Sequence, residues 1–129
     1  MKKNDKNLLI ILGNQLFEPK YFPNTRIDIV FMSEDFELCT YYKQHKMKIL
    51  FFLLSMREYK DELISKNYKV DYKKISEQDF KVKYELKLLE TIKTHGIKKV
   101  FFFEIEDKFF ESRIHLFLKK FDIAFEELQ

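Results

Sequence analysis

The stretch YYKQHKMKILFFLLSMREYKDELISKN, Tyr41 to Asn67, decides how this chain folds, because it joins a basic, histidine-bearing entrance to the longest apolar run. Ile49, Phe52, Leu53, Met56 and Leu63 keep the i, i+3, i+4, i+7 spacing of one helical face, and Leu50, Leu54 and Ile64 widen it. Arg57, Lys60, Asp61 and Glu62 make a polar tail expected to face water. The unbroken run from Ile49 to Leu54 also has the look of a buried strand. Strands seldom continue into a long charged amphipathic segment without a turn, so the spacing predicts a helix.

Working outward from that helix, short apolar runs alternate with further helical patterns. Upstream, Leu8 to Leu12 (LLIIL) is a continuous apolar run ended by Gly13, as expected for a central parallel strand covered on both faces. Asn14 to Thr25, with Pro19, Pro23, Phe17, Tyr21 and Phe22, reads as a loop whose rings pack. Ile27 to Met32 is a second strand, and Ser33 is placed to cap a short helix with Glu34 and Asp35 in its first turn and Leu38 and Tyr41 facing inward. Downstream, Asn67 ends the organising helix, and Tyr68 to Ile75 alternates as a strand with Val70 and Tyr72 on one side. After a connector from Ser76 to Phe80, Val82 to His95 forms a helix with Leu86, Leu89 and Ile92 inward, stopped by Gly96 with Lys93 and His95 in its last turn. Val100 to Phe103 is a fourth strand. Phe109 to Phe121 is a helix by its Phe110, Ile114, Phe117 and Leu118 pattern, and Ile123 to Leu128 closes the chain as a fifth strand.

This alternation predicts an α/β fold: a Rossmann-like (flavodoxin-like) three-layer sandwich, with a parallel sheet of about five strands and helices on both faces. In such sheets ligands sit beyond the carboxyl ends of the strands, so the segments after Leu12, Met32 and Phe103 are where function is expected.

Composition narrows the function classes. The 129 residues fit a single domain with one substantial core, and 46% hydrophobic content marks a globular protein. Lys and Arg number 24 against 21 Asp and Glu, interspersed in sign, so the +3 balance does not describe a basic nucleic-acid module. Cys39 is the single cysteine, which excludes an intramolecular disulfide and any multi-cysteine zinc or iron-sulfur site built by this chain. A reducing cytoplasm is the expected setting. The apolar segment after MKKNDKN is too short for a membrane span and lacks a signal-peptide pattern, so no membrane association is expected.

Several residues are candidates for chemistry. Gly13-Asn14-Gln15 stands where a dinucleotide fold carries its glycine-rich loop, but G-x-G-x-x-G and the P-loop are absent, so a phosphate cradle is not expected. The amides either hydrogen-bond a flat heterocycle or satisfy the loop's own backbone. His45, Lys46 and Lys48 oppose the dipole at the start of the organising helix; they serve polar ligand atoms or a partner, or are solvated residues whose stems cover apolar surface. His95 reads as a helix-end residue and His115 as part of a half-exposed helical face, neither with a metal ligand at useful spacing in sequence. Glu104, Glu106 and Asp107 follow the fourth strand and read first as solvated carboxylates, then as acid or base.

Taken together, ILGNQL, MSE, TYYKQHKMKILFFLLSMREY, YKVDYKKI and FFFEIEDKFFESRI resemble the start of the photolyase-related proteins, the iron-sulfur bacterial cryptochromes and (6-4) photolyases. That family reads close to Y-x-x-H-H-K-x-K-I at the helix entrance and A-M-R near its end. Tyr41, His45, Lys46, Lys48, Ile49, Met56 and Arg57 fit, while Gln44 replaces one family histidine and the family's G-D-Q-L becomes Gly13-Asn14-Gln15-Leu16. The resemblance implies that residues 1–129 are a single α/β antenna-type domain. The helical domain that holds flavin adenine dinucleotide (FAD) and a 4Fe-4S cluster is expected to be absent. It further implies an antenna pigment, 6,7-dimethyl-8-ribityllumazine, at Gly13, Asn14, Gln15, Leu16, Ser33, Glu34, Tyr41, His45 and Lys48, with no catalytic residue and no metal in this chain. The implied partners are the C-terminal flavin domain and, through it, damaged DNA, in light-dependent repair or light sensing. The parent family is DNA photolyase, a lyase; alone, this chain is expected to repair nothing. The competing expectation is a stand-alone Rossmann-like protein that binds a nucleotide or a partner without photochemistry. The 15 Phe and 7 Tyr also lead us to expect self-association, through Tyr21 and Phe22 of the long loop.

Overall fold

In the computed structural model, which describes residues 6–34, 46–74 and 83–128 and gives residues 46–49 by their backbone alone, the order of elements is β1 (Lys6–Ile10), β2 (Ile29–Ser33), α1 (Lys46–Ser65), β3 (Val70–Lys73), α2 (Tyr84–His95), β4 (Ile97–Phe103), α3 (Lys108–Lys120) and β5 (Ala124–Leu128). The five strands form one sheet in the order β3-β2-β1-β4-β5, every neighbouring pair parallel. This is the predicted α/β Rossmann-like sandwich. The expected short helix after Ser33 and the connector from Ser76 to Phe80 lie outside the described residues. Among those residues no helix is long and apolar enough to cross a membrane.

The strands are apolar on both faces because both are covered. Leu8, Ile10, Leu12, Phe31, Val100 and Phe102 pack with Tyr84, Leu88, Ile92, Phe110, Ile114 and Phe117 of α2 and α3. On the opposite face, Leu9, Ile11, Val30, Met32, Phe101 and Phe103 pack with Met56, Tyr59 and Leu63 of α1. A parallel β1-to-β2 connection usually carries a helix. Here residues 11–28 contain only a single 3-10 turn, Pro19–Tyr21, so the α1 face is finished beside β4 by the loop rings Phe17 and Phe22 against Phe103.

Helix ends follow local chemistry. Gly96 stops α2 at φ 64°, a left-handed conformation in which its N–H donates to the Ile92 carbonyl. Asn67, at φ 72°, ends α1 in the same region. Asp107 N-caps α3, its carboxylate accepting from the N–H groups of Phe109 at 3.0 Å and Phe110 at 3.2 Å, so one of the three candidate carboxylates after β4 is a cap.

Two helical faces differ from the sequence expectation. Leu50, Leu54 and Ile64 do not widen the buried face of α1; all three are about half exposed, and the buried stripe is Met56, Tyr59 and Leu63. Among the described residues, α1 meets that face of the sheet through Met56, Tyr59 and Leu63. In α2, Leu86 points outward and the inward stripe is Tyr84, Leu88, Thr91 and Ile92. Thr91 is admitted to this core because its hydroxyl donates to Asp71 Oδ2 at 2.6 Å.

Helices α2 and α3 are clamped by Arg113, whose Nε and Nη2 donate to the two Glu85 carboxylate oxygens at 2.9 and 2.6 Å. Burial pushes the Glu85 carboxyl up, but the Arg113 fork outweighs it and holds the group below its usual range. A carboxyl depressed in the folded state contributes stability that is complete above its unfolded value, about 4.3, and is lost as pH falls through the folded value. Glu85→Gln is therefore expected to cost about 1 to 2 kcal/mol at pH 7, with the deficit shrinking as the pH is taken below about 4. Urea unfolding of both proteins at pH 7 and pH 3 checks this; a deficit equal at both values contradicts it.

Candidate functional site

The strand order reverses between β1 and β4, and the loops beyond their carboxyl ends leave a crevice between them. Gln15 bridges it. Its Nε2 donates across the crevice to the Glu104 carbonyl at 2.8 Å, while its N–H donates to the Leu12 carbonyl at 2.9 Å. The residue is 5% exposed, and its Oε1 finds no hydrogen-bond partner among the described residues. An amide oxygen buried in this way costs free energy until a donor reaches it.

Beside it opens a cleft of about 460 Å³ lined by Phe17, Tyr21, Phe103, Glu104 and Leu128. Phe17 stands edge-on to Phe103 with ring centroids 4.9 Å apart, and Tyr21 is 61% exposed at the rim. Phe22, expected at the surface with Tyr21, is instead half-buried, packed edge-on against Tyr68 at 5.5 Å. Among the described residues the cleft offers flat apolar walls and one carboxylate, with the Gln15 amide next to Glu104, an arrangement suited to binding.

The remaining candidates are spread around this edge of the sheet. Gly13 packs against α1: a Cβ there would overlap the Phe52 ring, so the residue's lack of a side chain lets helix and loop meet. Asn14 is exposed and Leu16 half-buried. Ser33 is buried, its hydroxyl without a partner among the described residues. The sequence places Glu34 in a first helical turn; instead its N–H donates to the Lys73 carbonyl at 2.8 Å, extending the β2–β3 ladder. Its carboxylate, with 0% exposure, takes a fork from Arg57, Nε to Oε2 at 2.6 Å and Nη2 to Oε1 at 2.9 Å, and accepts the Tyr72 hydroxyl. Arg57, expected in a water-facing tail, is half-exposed and turns its guanidinium onto the buried Glu34 carboxylate. Hydrogen bonding to Glu34 holds its guanidinium above the usual range, and burial followed by the bond to Glu34 raises the Tyr72 hydroxyl. Tyr41 and His45 lie outside the described residues, and Lys48 is described only as backbone within α1.

With this geometry in place, comparison with known proteins is informative. The family described as "Deoxyribodipyrimidine photo-lyase-related protein" matches residues 9–129. The chain belongs to that family. A search of curated proteins returned no match. The match begins within β1 and includes all of β4, so Gln15, the aromatic cleft and the Glu34–Arg57 pair all lie inside the photolyase-related region. Of the cofactors this family brings to mind, a 4Fe-4S cluster does not fit the present donor set: it needs four thiolates, and Cys39 is the single cysteine. The aromatic walls of the cleft suit a flat heterocycle, and Gln15, bonded to the Glu104 carbonyl beside it, keeps a buried amide oxygen without a partner among the described residues.

Sequence reasoning singled out Gln15 as a candidate and missed the cleft walls. Phe17 was legible as an aromatic in the first loop; Phe103 and Leu128 were hidden inside strands, and it is the parallel β4–β5 register, with Phe103 opposite Leu128, that brings them to one rim.

Proposed function

We propose that this photolyase-related chain is the antenna-chromophore-type domain of a flavoprotein that repairs DNA or senses light, and that it holds 6,7-dimethyl-8-ribityllumazine at the β1–β4 crevice. The supporting observation is the buried Gln15 Oε1, an acceptor with no donor among the described residues, set next to an aromatic cleft at the switch point of the sheet. A bound antenna pigment supplies light absorption and passes excitation to a flavin. The chain's own residues supply position. Phe17, Phe103 and Tyr21 offer ring faces and edges to the heterocycle, Gln15 accepts a ring N–H, and Glu104 meets ribityl hydroxyls at the rim. The family motif adds Gly13, Asn14, Leu16, Ser33, Glu34, Tyr41, His45 and Lys48 as candidate pigment contacts, with Glu34 acting through Arg57. The proposed partner is a C-terminal flavin-binding domain, which makes contact with damaged DNA.

Fluorescence titration of the chain with the lumazine tests this reading. Saturable binding is expected, and Tyr21→Ala is expected to weaken it by about 0.5 to 1.5 kcal/mol, roughly 2- to 13-fold. Tyr21 is 61% exposed, so its removal leaves the fold intact. No binding by wild type, or equal affinity for wild type and variant, removes the crevice as the pigment site. Tighter binding of ATP or NAD than of lumazine gives the site to a nucleotide instead.

A further inference from the structure

We propose that Glu111, His115 and Glu127 form a binding site for a divalent transition-metal ion of the zinc class, on the α2/α3 face of the sheet. This proposal is independent of the pigment reading: the cleft opens at Leu128, which packs toward α1, whereas Glu127 is the neighbouring strand residue and faces α3.

The placement follows from element geometry. Glu111 and His115 are four apart on α3 and so stand one turn above the other on a single helical face. Strand β5 lies next to β4 with Glu127 opposite Phe102, which presents the Glu127 carboxylate to that face. His115 Nε2 is 3.0 Å from Glu127 Oε1, and one ligand atom from each of the three residues falls within 4.8 Å of the other two. Ligands at about 2.0 to 2.2 Å around a tetrahedral zinc stand roughly 3.4 Å apart, so closure needs small rotamer adjustments and no backbone movement.

The supports are rigid. Helix α3 is seated by Phe110, Ile114, Phe117 and Leu118, and the imidazole rests against two rings, Phe102 at 5.8 Å and Phe125 at 5.3 Å. The donor set is one imidazole and two carboxylates, which suits a borderline cation better than calcium or magnesium. With side chains 21%, 32% and 23% exposed, the three leave a water-accessible side, so a solvent ligand can complete the shell. Lys108, 3.5 Å from Glu111, is the nearby cation that competes for one ligand.

The test is calorimetric titration of the untagged full chain with Zn²⁺, repeated with Co²⁺ while following visible absorption. Expected results are saturable binding of a single ion, cobalt bands of a nitrogen-and-oxygen site, and a rise in thermal midpoint with added Zn²⁺. His115→Gln and Glu127→Gln are each expected to weaken affinity at least about tenfold, with His95→Ala unchanged. Both variants nearly conserve volume, and far-UV circular dichroism confirms that they fold. Absence of saturable binding overturns the proposal, as does Zn²⁺ affinity that neither His115→Gln nor Glu127→Gln changes. In either case the cluster is a hydrogen-bonded surface group and nothing more.

Discussion

Arg57→Ala is expected to cost this fold about 3 kcal/mol at neutral pH, enough to remove a large share of the stability of a domain this size. The effect is large because the damage falls on Glu34 and not on arginine. Glu34 is fully buried at the end of β2, and its two carboxylate oxygens are held by the Arg57 fork and the Tyr72 hydroxyl. Removing the guanidinium leaves a buried carboxylate with an incomplete set of donors, a loss that typically runs to about 3 to 5 kcal/mol. The lower end applies here, since the Arg57 side chain is 41% exposed and water reaches part of the vacated space. Arg57→Lys keeps a charge but not the planar fork and is expected to fall between the two. Replacing both partners, Glu34→Leu with Arg57→Leu, is expected to recover most of the loss because no charge is then left behind. Urea unfolding of the four proteins decides it. A loss below about 1 kcal/mol for Arg57→Ala, the scale of exposed pairs, contradicts the account.

That pair shows why part of the site was not legible in the sequence. Glu34 follows Ser33 where a capped helix was a reasonable expectation, and Arg57 stands in a charged run where solvation was the simplest reading. Their pairing depends on β2 and β3 being neighbours and on α1 crossing above them, contacts that span 23 positions. The strands were legible for the opposite reason: LLIIL, IVFM and VFFF are apolar without alternation, and a strand covered on both faces needs nothing else. Helix α3 was read correctly because Phe110, Ile114, Phe117 and Leu118 are its buried residues and all are strongly apolar.

The cluster at Glu111, His115 and Glu127 sits between these cases. The reading that His115 has no metal ligand at useful spacing passed over Glu111, four residues before it on a well-marked helix, because this pairing alone is common on solvated faces. The third member comes from β5, and its arrival requires both the parallel register against β4 and the parity that turns Glu127 toward α3. Shifting that strand by one residue would present Glu126 or Leu128 instead. Gln15 is the reverse: its position after β1 marked it as a site residue, but burial and its bridge to the Glu104 carbonyl come only with the β1–β4 pairing.

Tyr84→Ala is expected to be the most damaging single change on the α2/α3 face, at about 3 to 5 kcal/mol. Tyr84 opens α2 and is 1% exposed; its ring meets Phe31 of β2 edge-on at 5.5 Å and Phe110 of α3 edge-on at 5.3 Å. One side chain therefore joins the sheet to both helices of that layer, and truncation leaves a cavity between elements that cannot collapse together without moving the β2–β1 ladder. The two edge-on ring contacts contribute about 0.5 to 1.5 kcal/mol each beyond area burial, which places the loss toward the upper end. Tyr84→Phe keeps both contacts and is expected to lose no more than about 1.5 kcal/mol, the hydroxyl's share. The crevice lies on the other face of the sheet, so folded Tyr84→Ala protein should keep the lumazine affinity of wild type. Thermal and urea unfolding measure the first part, and pigment titration below the unfolding transition measures the second. A Tyr84→Ala protein as stable as Tyr84→Phe would show that the ring fills space without joining the layers.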